Sequence, residues 1–309
     1  MSGGGHSGWL DRGRLLVDGQ VYLPMGVSPG LLATPRSHLF SRKQASVAMF
    51  AWLRRRRRDA IRRRQFPAEW RAFIEKNVPY VACLSAEDRE ELVGHIQVFL
   101  AEKRFEGCGG LQITDEARVT IAAQACVLLL HRQTEYYPNL VSILVYPTTY
   151  LVPGGQSTPD GLVAEGAQAR LGESWARDVV VLAWDSVLSG AADIHDGHNV
   201  VLHEFAHQLD QESGMGDGAP VLPRRSMYVA WARVLGHDFD QLVRDTAHHH
   251  RTLIDRYGAT NPAEFFAVAT ETFFEKPRQL RSKHPELYLQ LQQFYSQDPA
   301  ALGSRRSLG

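Results

Sequence analysis

The sequence predicts an α+β fold in which helices precede and follow a small central sheet. Capped amphipathic segments indicate helices in the first half of the chain, β-rich runs indicate strands in the middle, and helical patterns dominate from Asn199 onward. Of the 309 residues, 44% are hydrophobic and 22% are charged. This composition is typical of a globular protein with a sizeable core, and it excludes a chain that is disordered throughout.

The first helices of the main domain are predicted on either side of a glycine-rich break. The segment 67–107 has a helical pattern, in which Ser85 and the acidic residues after it are typical of a helix N-terminus. A second N-terminus is predicted at Thr114, and its helix is expected to run to Leu130. Four apolar residues share one face of the first pattern and are expected in the core: Leu92, Ile96, Phe99 and Leu100.

Strands are predicted between these helices and the C-terminal half. Val141–Tyr146 is rich in β-branched residues and stops at Pro147. Further strands are expected at Leu162–Ala167 and at Arg177–Trp184, the second of which contains the most apolar run. A loop rich in Gly and Pro is expected at residues 153–161.

Changes of composition divide the chain into four segments. Residues 1–48 are rich in Gly, Ser and Pro, lack periodicity and are expected to form a disordered leader. Residues 49–66 are expected to be a basic helix or tail. The main domain is expected over residues 67–300, followed by a C-terminal tail at residues 301–309.

The formal net charge is zero, but the charge is unevenly distributed. Residues 1–66 contain 13 lysines and arginines against 3 acidic residues, chiefly because of the runs Arg54–Arg58 and Arg62–Arg64. Such runs can bind nucleic acid or anionic lipid. We favour the simpler interpretation, a solvated basic helix or tail, so nucleic acid is not an expected partner.

Cysteine usage and hydropathy indicate a cytoplasmic protein. The cysteines Cys83, Cys108 and Cys126 form no CxxC pair and cannot build a disulfide scaffold, which suits a reducing compartment. No run of about 18 or more apolar residues is present, so no transmembrane helix is expected. The apolar segment Ala45–Leu53 precedes the arginines, whereas a secretory signal needs the opposite order.

The most specific motif is His203-Glu204-Phe-Ala-His207, which lies in a segment of helical pattern. Residues four positions apart share a helical face, so the two imidazoles can bind one Zn²⁺ ion. Glu204 then lies close to the metal, where it can act as a general base. The alternative is an accidental match on an ordinary helix, and the apolar residues around the motif argue against it.

A catalytic zinc usually takes a third protein ligand, for which Glu264 is the best candidate. Asn261 and Pro262 predict a helix start before it, and an acid inside such an apolar helix needs a charged partner. Glu264 could instead close a capping box at this N-terminus. Asp210 could orient an imidazole or lie on the surface, and Glu271 could hydrogen-bond a metal ligand or be structural.

The segments His203–Asp210 and Tyr257–Val268 together resemble the Mlc titration factor A family of zinc metallopeptidases. The family is similar in fold to the catalytic domain of anthrax lethal factor, a gluzincin. The resemblance therefore implies a zincin-like metallopeptidase domain over residues 67–300, with an HExxH active-site helix and a helical N-terminal lead-in. The likeness also extends to four shorter segments: Gly172–Trp175, Leu182–Asp185, Gly197–Asn199 and Gln293–Pro299.

Residue by residue, the resemblance implies His203, His207 and Glu264 as the ligands of one Zn²⁺ ion. It implies that Glu204 is the general base. Tyr257 matches a tyrosine that lies beside the metal in the family, and it is expected to stabilise an oxyanion.

The resemblance also implies a function. It implies hydrolysis of peptide bonds, of an aminopeptidase type on short substrates, and binding of a sugar-responsive transcription repressor that governs the glucose phosphotransferase system. The alternative is a metal-stabilised, non-catalytic protein that sequesters the repressor. Glu204 distinguishes the two, because a purely structural metal site needs no base. The chain departs from the family in its N-terminal leader, in a long insert at residues 153–169 and in the tract His248–His250. We expect that tract to be a solvated polar stretch.

Overall fold

The computed structural model describes residues 37–148 and 178–302, together with two short strands before them. Side chains are described from Met49 onward within these ranges. The predicted loop at residues 153–161 and the predicted strand at Leu162–Ala167 lie outside the described residues.

The first of two compact units, Met1–Arg58, contains a strand pair and most of a long helix. Strands β1 (Leu16–Val17) and β2 (Gln20–Val21) pair antiparallel, and helix α1 spans Ser37–Arg62. The helix begins inside the segment 1–48, for which the sequence indicates no regular structure. Regular structure therefore starts upstream of the point where the basic helix or tail is predicted to begin.

The second unit, Asp59–Gly309, contains the central sheet and the other described helices. Helices follow the sheet to the end of the described chain, as the pattern after Asn199 predicts. The elements in chain order are α2 (Ala68–Asn77), a 3₁₀ turn (Pro79–Cys83), α3 (Ala86–Glu102), β3 (Arg104–Gly107), α4 (Asp115–Val127), β4 (Ser142–Tyr146), β5 (Val179–Ala183), α5 (Trp184–Ala192), α6 (Val200–Gln211), α7 (Met227–Ala247), a 3₁₀ turn (Arg256–Ala259), α8 (Pro262–Glu275), α9 (Pro277–Lys283), α10 (Pro285–Tyr295) and α11 (Pro299–Leu302).

Helices α3 and α4 start where the sequence predicts them. The Ser85 hydroxyl accepts a hydrogen bond from the N–H of Asp88 at 3.0 Å, and the Thr114 hydroxyl accepts one from Ala117 at 3.2 Å. Each cap satisfies a backbone donor that has no partner within its helix. The four apolar residues predicted to face the core from α3 are all buried. Helix α4 ends slightly earlier than predicted, at Val127.

The central sheet has three parallel strands in the order β3-β4-β5, which is also their order in the chain. The predicted strands at β4 and β5 are confirmed, although β5 ends at Ala183 because Trp184 already belongs to α5. The prediction of helix for Arg104–Gly107 is wrong, since these residues form β3. Their backbone pairs with residues 142–145, a distant partner that no local pattern reveals.

Four helices of the C-terminal half begin with a proline, namely Pro262, Pro277, Pro285 and Pro299. Proline suits this position because it has no N–H group to leave unpaired and its φ angle is already helical. In α8 the preceding Asn261 adds a side-chain cap, since its Oδ1 accepts a hydrogen bond from the N–H of Glu264 at 3.0 Å. The start of α8 is therefore defined by two adjacent residues, as predicted.

Helices α6 and α8 pack against each other in the interior. Every residue of α8 from Phe265 to Glu275 is buried. Phe266 contacts the rings of Trp231 and Phe294, with centroids 5.8 and 5.7 Å away. On α6, Phe205 packs edge-on against Tyr137, with 4.9 Å between the ring centroids. Charged side chains on these two helices are therefore costly unless they are paired.

The three cysteines are free thiols, of which Cys126 is buried while Cys83 and Cys108 are partly exposed. Burial raises the pKa of the Cys126 thiol well above its usual value, which makes it unreactive. Among the described residues, no helix is long and apolar enough to cross a membrane.

The cap of α8 should make a measurable contribution to stability. Asn261→Ala should lower the free energy of unfolding by about 1 kcal/mol, because the N–H of Glu264 loses its acceptor. Urea denaturation in the presence of a chelator measures the change without a contribution from bound metal. Asn261→Ser retains an acceptor oxygen and is the matched control. If Asn261→Ala is as stable as the parent, the cap does not stabilise α8.

Candidate metal centre

Helix α6 presents two imidazoles on one face. Its N-terminus is capped by Asn199, whose Oδ1 accepts hydrogen bonds from the N–H groups of Val201 and Leu202 at 3.1 and 3.0 Å. His203 and His207 follow one turn apart, with ring centroids separated by 4.8 Å. Their Nε2 atoms lie 3.2 Å from each other, so both nitrogens face the same point.

Glu264 of α8 completes a group of three potential ligand atoms. Its Oε2 lies 3.1 Å from Nε2 of His203 and 3.3 Å from Nε2 of His207. A capping box would turn this carboxylate back toward the backbone of Asn261, but it faces the imidazoles instead. The structure therefore brings together the three residues that the sequence predicts as ligands.

The spacing of these three atoms fits a small metal ion. For zinc–ligand distances of about 2.0–2.1 Å, tetrahedral geometry places neighbouring ligand atoms about 3.3–3.4 Å apart. The separations of 3.1–3.3 Å between the two nitrogens and the oxygen are close to this value. Two imidazoles and one carboxylate also form a donor set that catalytic zinc sites use. No fourth residue joins the group within the described part of the chain.

Glu271 holds one of the imidazoles in place. Its Oε1 lies 2.7 Å from Nδ1 of His203, and its Oε2 accepts a hydrogen bond from the N–H of Asn199 at 2.5 Å. A carboxylate in this position favours the proton on Nδ1, which leaves the Nε2 lone pair directed at a metal. Glu271 is expected either to hydrogen-bond a metal ligand or to be structural, and its contact with His203 matches the first of these roles.

Burial and mutual interaction determine the charges of this centre. Burial would raise the pKa of Glu264, but hydrogen bonds with both imidazoles hold it well below its usual range. Burial would lower the pKa of His203, but Glu271 and Glu264 raise it well above its usual value. For Glu204 burial dominates and raises the pKa of the carboxyl, although His203 and His207 act in the opposite direction. Ionised Glu264 is therefore stabilised by the two imidazoles, whereas Glu204 gains less from them than it loses by burial.

Asp210 neither lies on the surface nor forms a hydrogen bond with an imidazole. It is fully buried, and its Oδ2 accepts a hydrogen bond from the N–H of Gly218 at 2.8 Å, while its Oδ1 has no partner among the described residues. Burial raises its pKa to about 6. Gly218 has a φ of +79°, and a Cβ there would lie 2.4 Å from the carbonyl oxygen of Pro262. Asp210 thus ties α6 to a loop that is packed against the start of α8.

Tyr257 lies beside the first imidazole. It belongs to the 3₁₀ turn before α8, and its N–H donates to Oδ1 of Asp255 at 2.7 Å. The centroid of its ring is 6.0 Å from that of His203. Tyr257, His203 and Glu271 line one cavity of about 170 Å³. The predicted tyrosine therefore lies beside one of the three potential ligands, His203, and both line a small cleft.

The roles of two residues near the centre, Asn199 and Glu275, are not predicted from the sequence. Asn199 caps α6 and also donates from Nδ2 to Oε1 of Glu275 at 3.2 Å. Burial raises the pKa of Glu275 to about 9, so this carboxyl is protonated at neutral pH. The available signal was the spacing of Glu271 and Glu275, which places two acids on one face of an apolar helix.

A second group of potential metal ligands, formed by Asp88, Glu91 and His131, is more exposed than the group at His203. His131 lies between Asp88 and Glu91, but different ring nitrogens face the two carboxylates, at 3.1 and 3.2 Å. The side chain of His131 is 41% exposed, compared with 4% for that of His203. The tract His248–His250 is exposed and joins no group of potential metal ligands within the described residues.

Comparison with known proteins places the whole centre within one family. The family of glucose-regulated metallo-peptidases M90 matches residues 50–296, which include α6 and α8. The uncharacterized protein slr2042 of Synechocystis sp. is 43% identical over 250 residues, 80% of this chain and 90% of that protein. Mlc titration factor A of Yersinia pestis is 31% identical over 237 residues, 76% of this chain and 86% of that protein. The chain therefore belongs to the Mlc titration factor A family, the glucose-regulated metallo-peptidases M90.

Proposed function

We propose that the chain is a zinc-dependent metallopeptidase that hydrolyses short peptides in an aminopeptidase-type reaction. The observation that carries the proposal is the convergence of His203, His207 and Glu264 at 3.1–3.3 Å, with Glu204 buried beside them. Membership of a metallopeptidase family supports it. The helical arrangement around a small sheet, with the HExxH sequence on α6, is consistent with a zincin-like domain related to the anthrax lethal factor catalytic domain.

Each residue has a distinct task in the proposed reaction. Zinc, when bound, would supply a Lewis acid for the peptide carbonyl and would lower the pKa of water. Glu204 accepts the proton of the attacking water and donates it to the leaving amine. The hydroxyl of Tyr257 donates a hydrogen bond to the carbonyl oxygen as negative charge develops there. Glu271 keeps the His203 ring in the orientation that binding requires.

The composition of the centre favours an enzyme over a metal-stabilised, non-catalytic protein. Structural zinc sites are usually closed by four protein ligands, whereas catalytic sites use three and keep one position open. Three residues converge here within the described part of the chain, and the buried carboxylate of Glu204 adjoins them. A purely structural site would have no use for that carboxylate.

The zinc assignment can be tested by metal analysis. The purified protein should contain about one equivalent of zinc, and His203→Ala or His207→Ala should each remove most of it, because two protein ligands are seldom sufficient. Inductively coupled plasma mass spectrometry of dialysed samples measures the content. His250→Ala changes an exposed histidine outside the group and is the control. Full zinc content in both ligand variants would show that the ion is bound elsewhere.

Two isosteric variants separate the base from the ligand. Glu204→Gln should retain zinc but lose about 10²–10⁴-fold in turnover, because proton transfer to and from this carboxylate is lost. Glu264→Gln should lose zinc affinity first, so that added zinc restores part of its rate. Zinc affinity and peptide turnover are measured on both variants. If Glu264→Gln binds zinc as tightly as the parent, Glu264 is not the third ligand.

We also propose that the chain binds a sugar-responsive transcription repressor. The support is the 31% identity to the Yersinia pestis protein, which is named Mlc titration factor A. Such a repressor acts on DNA, so this proposal places the chain in the cytoplasm, where free cysteines are usual.

Repressor binding should be independent of the catalytic base. Purified Mlc-type repressor from the same organism should bind the parent and Glu204→Gln with equal affinity, because this substitution leaves size and fold unchanged. Surface plasmon resonance with both proteins measures this. The absence of binding to the parent would remove the proposal, and loss of binding in Glu204→Gln alone would tie the partner to the catalytic cleft.

A further inference from the structure

A second cavity, which no step above uses, adjoins the cleft at the metal centre. Its volume is about 340 Å³, within the size range of ligand pockets. Both cavities are lined by His198 and Asp255, so the second one opens next to the cavity at His203 and Tyr257. A single molecule can therefore extend from one cavity into the other.

The walls of this second cavity carry three permanent positive charges, those of Arg251, Arg256 and Lys276. Arg256 is held in place, because its Nη2 donates to the carbonyl oxygen of His250 at 3.0 Å. Within the described chain, the side chains of Arg251 and Lys276 have no hydrogen bond or ion pair. Lys276 is nevertheless half-buried, with its ammonium 3.0 Å from the place that a Cβ of Gly197 would occupy.

The acidic residue in this lining does not neutralise these charges. Asp255 is engaged elsewhere, because its Oδ1 accepts a hydrogen bond from the N–H of Tyr257 at 2.7 Å. Its Oδ2 lies 4.0 Å from Nε2 of His198. The lining thus contains one carboxylate and three cationic side chains, and the side-chain donors of Arg251 and Lys276 have no partner among the described residues. A cavity of this kind attracts an anion and can bind it by charge-assisted hydrogen bonds.

We propose that this basic pocket, lined by Arg251, Arg256 and Lys276, binds a carboxylate group of the peptide substrate. The proposal rests on the proposed peptidase function, since it assigns the pocket to a part of the same substrate. A guanidinium can bind a carboxylate through two parallel hydrogen bonds, and the ammonium adds a third donor. The carboxylate belongs either to the C-terminus of a short peptide or to an acidic side chain near the scissile bond.

Matched peptides distinguish these two sources. A set of tripeptides and tetrapeptides is prepared with a free or an amidated C-terminus, and with Glu or Gln at each position. For the zinc-loaded parent, kcat/KM should be about tenfold higher for the peptide with the carboxylate than for its amide counterpart in one of the two comparisons, the scale of one charged hydrogen bond. The comparison that shows the preference identifies the source.

Two variants and one control assign the preference to the pocket. Lys276→Gln and Arg251→Gln should each reduce the ratio of the two rates toward one. Arg278→Gln removes an exposed positive charge outside this pocket and should leave the ratio unchanged. Circular dichroism and zinc content verify that each variant is folded and loaded.

The outcomes separate this proposal from the peptidase proposal. A ratio near one in the parent, or a ratio that survives in both pocket variants, would overturn the carboxylate pocket while peptide cleavage itself stands. If the parent cleaves no peptide, the peptidase proposal fails. The same peptide pairs, labelled for fluorescence anisotropy, then test the pocket directly, and equal affinity for the acid and the amide would overturn it.

Discussion

The two hydrogen bonds of the Glu271 carboxylate are the interaction on which the rest of the centre depends. One oxygen accepts from the backbone at Asn199, where α6 begins, and the other meets the ring of His203. Through this one side chain, α8 contacts both the N-cap residue of α6 and the first imidazole of the centre. The convergence with Glu264, 61 residues away in sequence from His203, follows from that docking. A metal centre built from two helices needs such a link, because ligand atoms must agree to within a fraction of an ångström.

The interior around α6 and α8 contains more acid than a hydrophobic core usually holds, and each acidic group is accommodated differently. Glu271 is hydrogen-bonded through both oxygens. Glu275 avoids the cost of a buried charge by being protonated, since burial raises its pKa to about 9. Asp210 accepts a hydrogen bond from the backbone of Gly218. These arrangements let a polar centre exist between helices whose other contacts are aromatic and aliphatic.

The parts of this architecture that local sequence determines could be predicted, and the parts that distant backbone determines could not. The spacing of His203 and His207 and the apolar surroundings of Glu264 are local, so the three residues that converge could be predicted from the sequence alone. Arg104–Gly107 is a strand because residues 142–145 lie alongside it, and nothing in its own composition indicates this. The partner of Asp210 is likewise a backbone N–H in a loop, which carries no side-chain signal.

The glycine at position 218 has a consequence for attempts to alter the cleft. Two independent conditions act there: the backbone is left-handed, and the carbonyl of Pro262 occupies the space of a side chain. The loop after α6 and the start of α8 are therefore in direct main-chain contact at this point, and the Asp210 side chain connects that loop to α6. A larger residue at this position would collide with the main chain of Pro262 at the start of α8. Changes of substrate preference are therefore better sought at the side chains that line the cleft than at this contact between main chains.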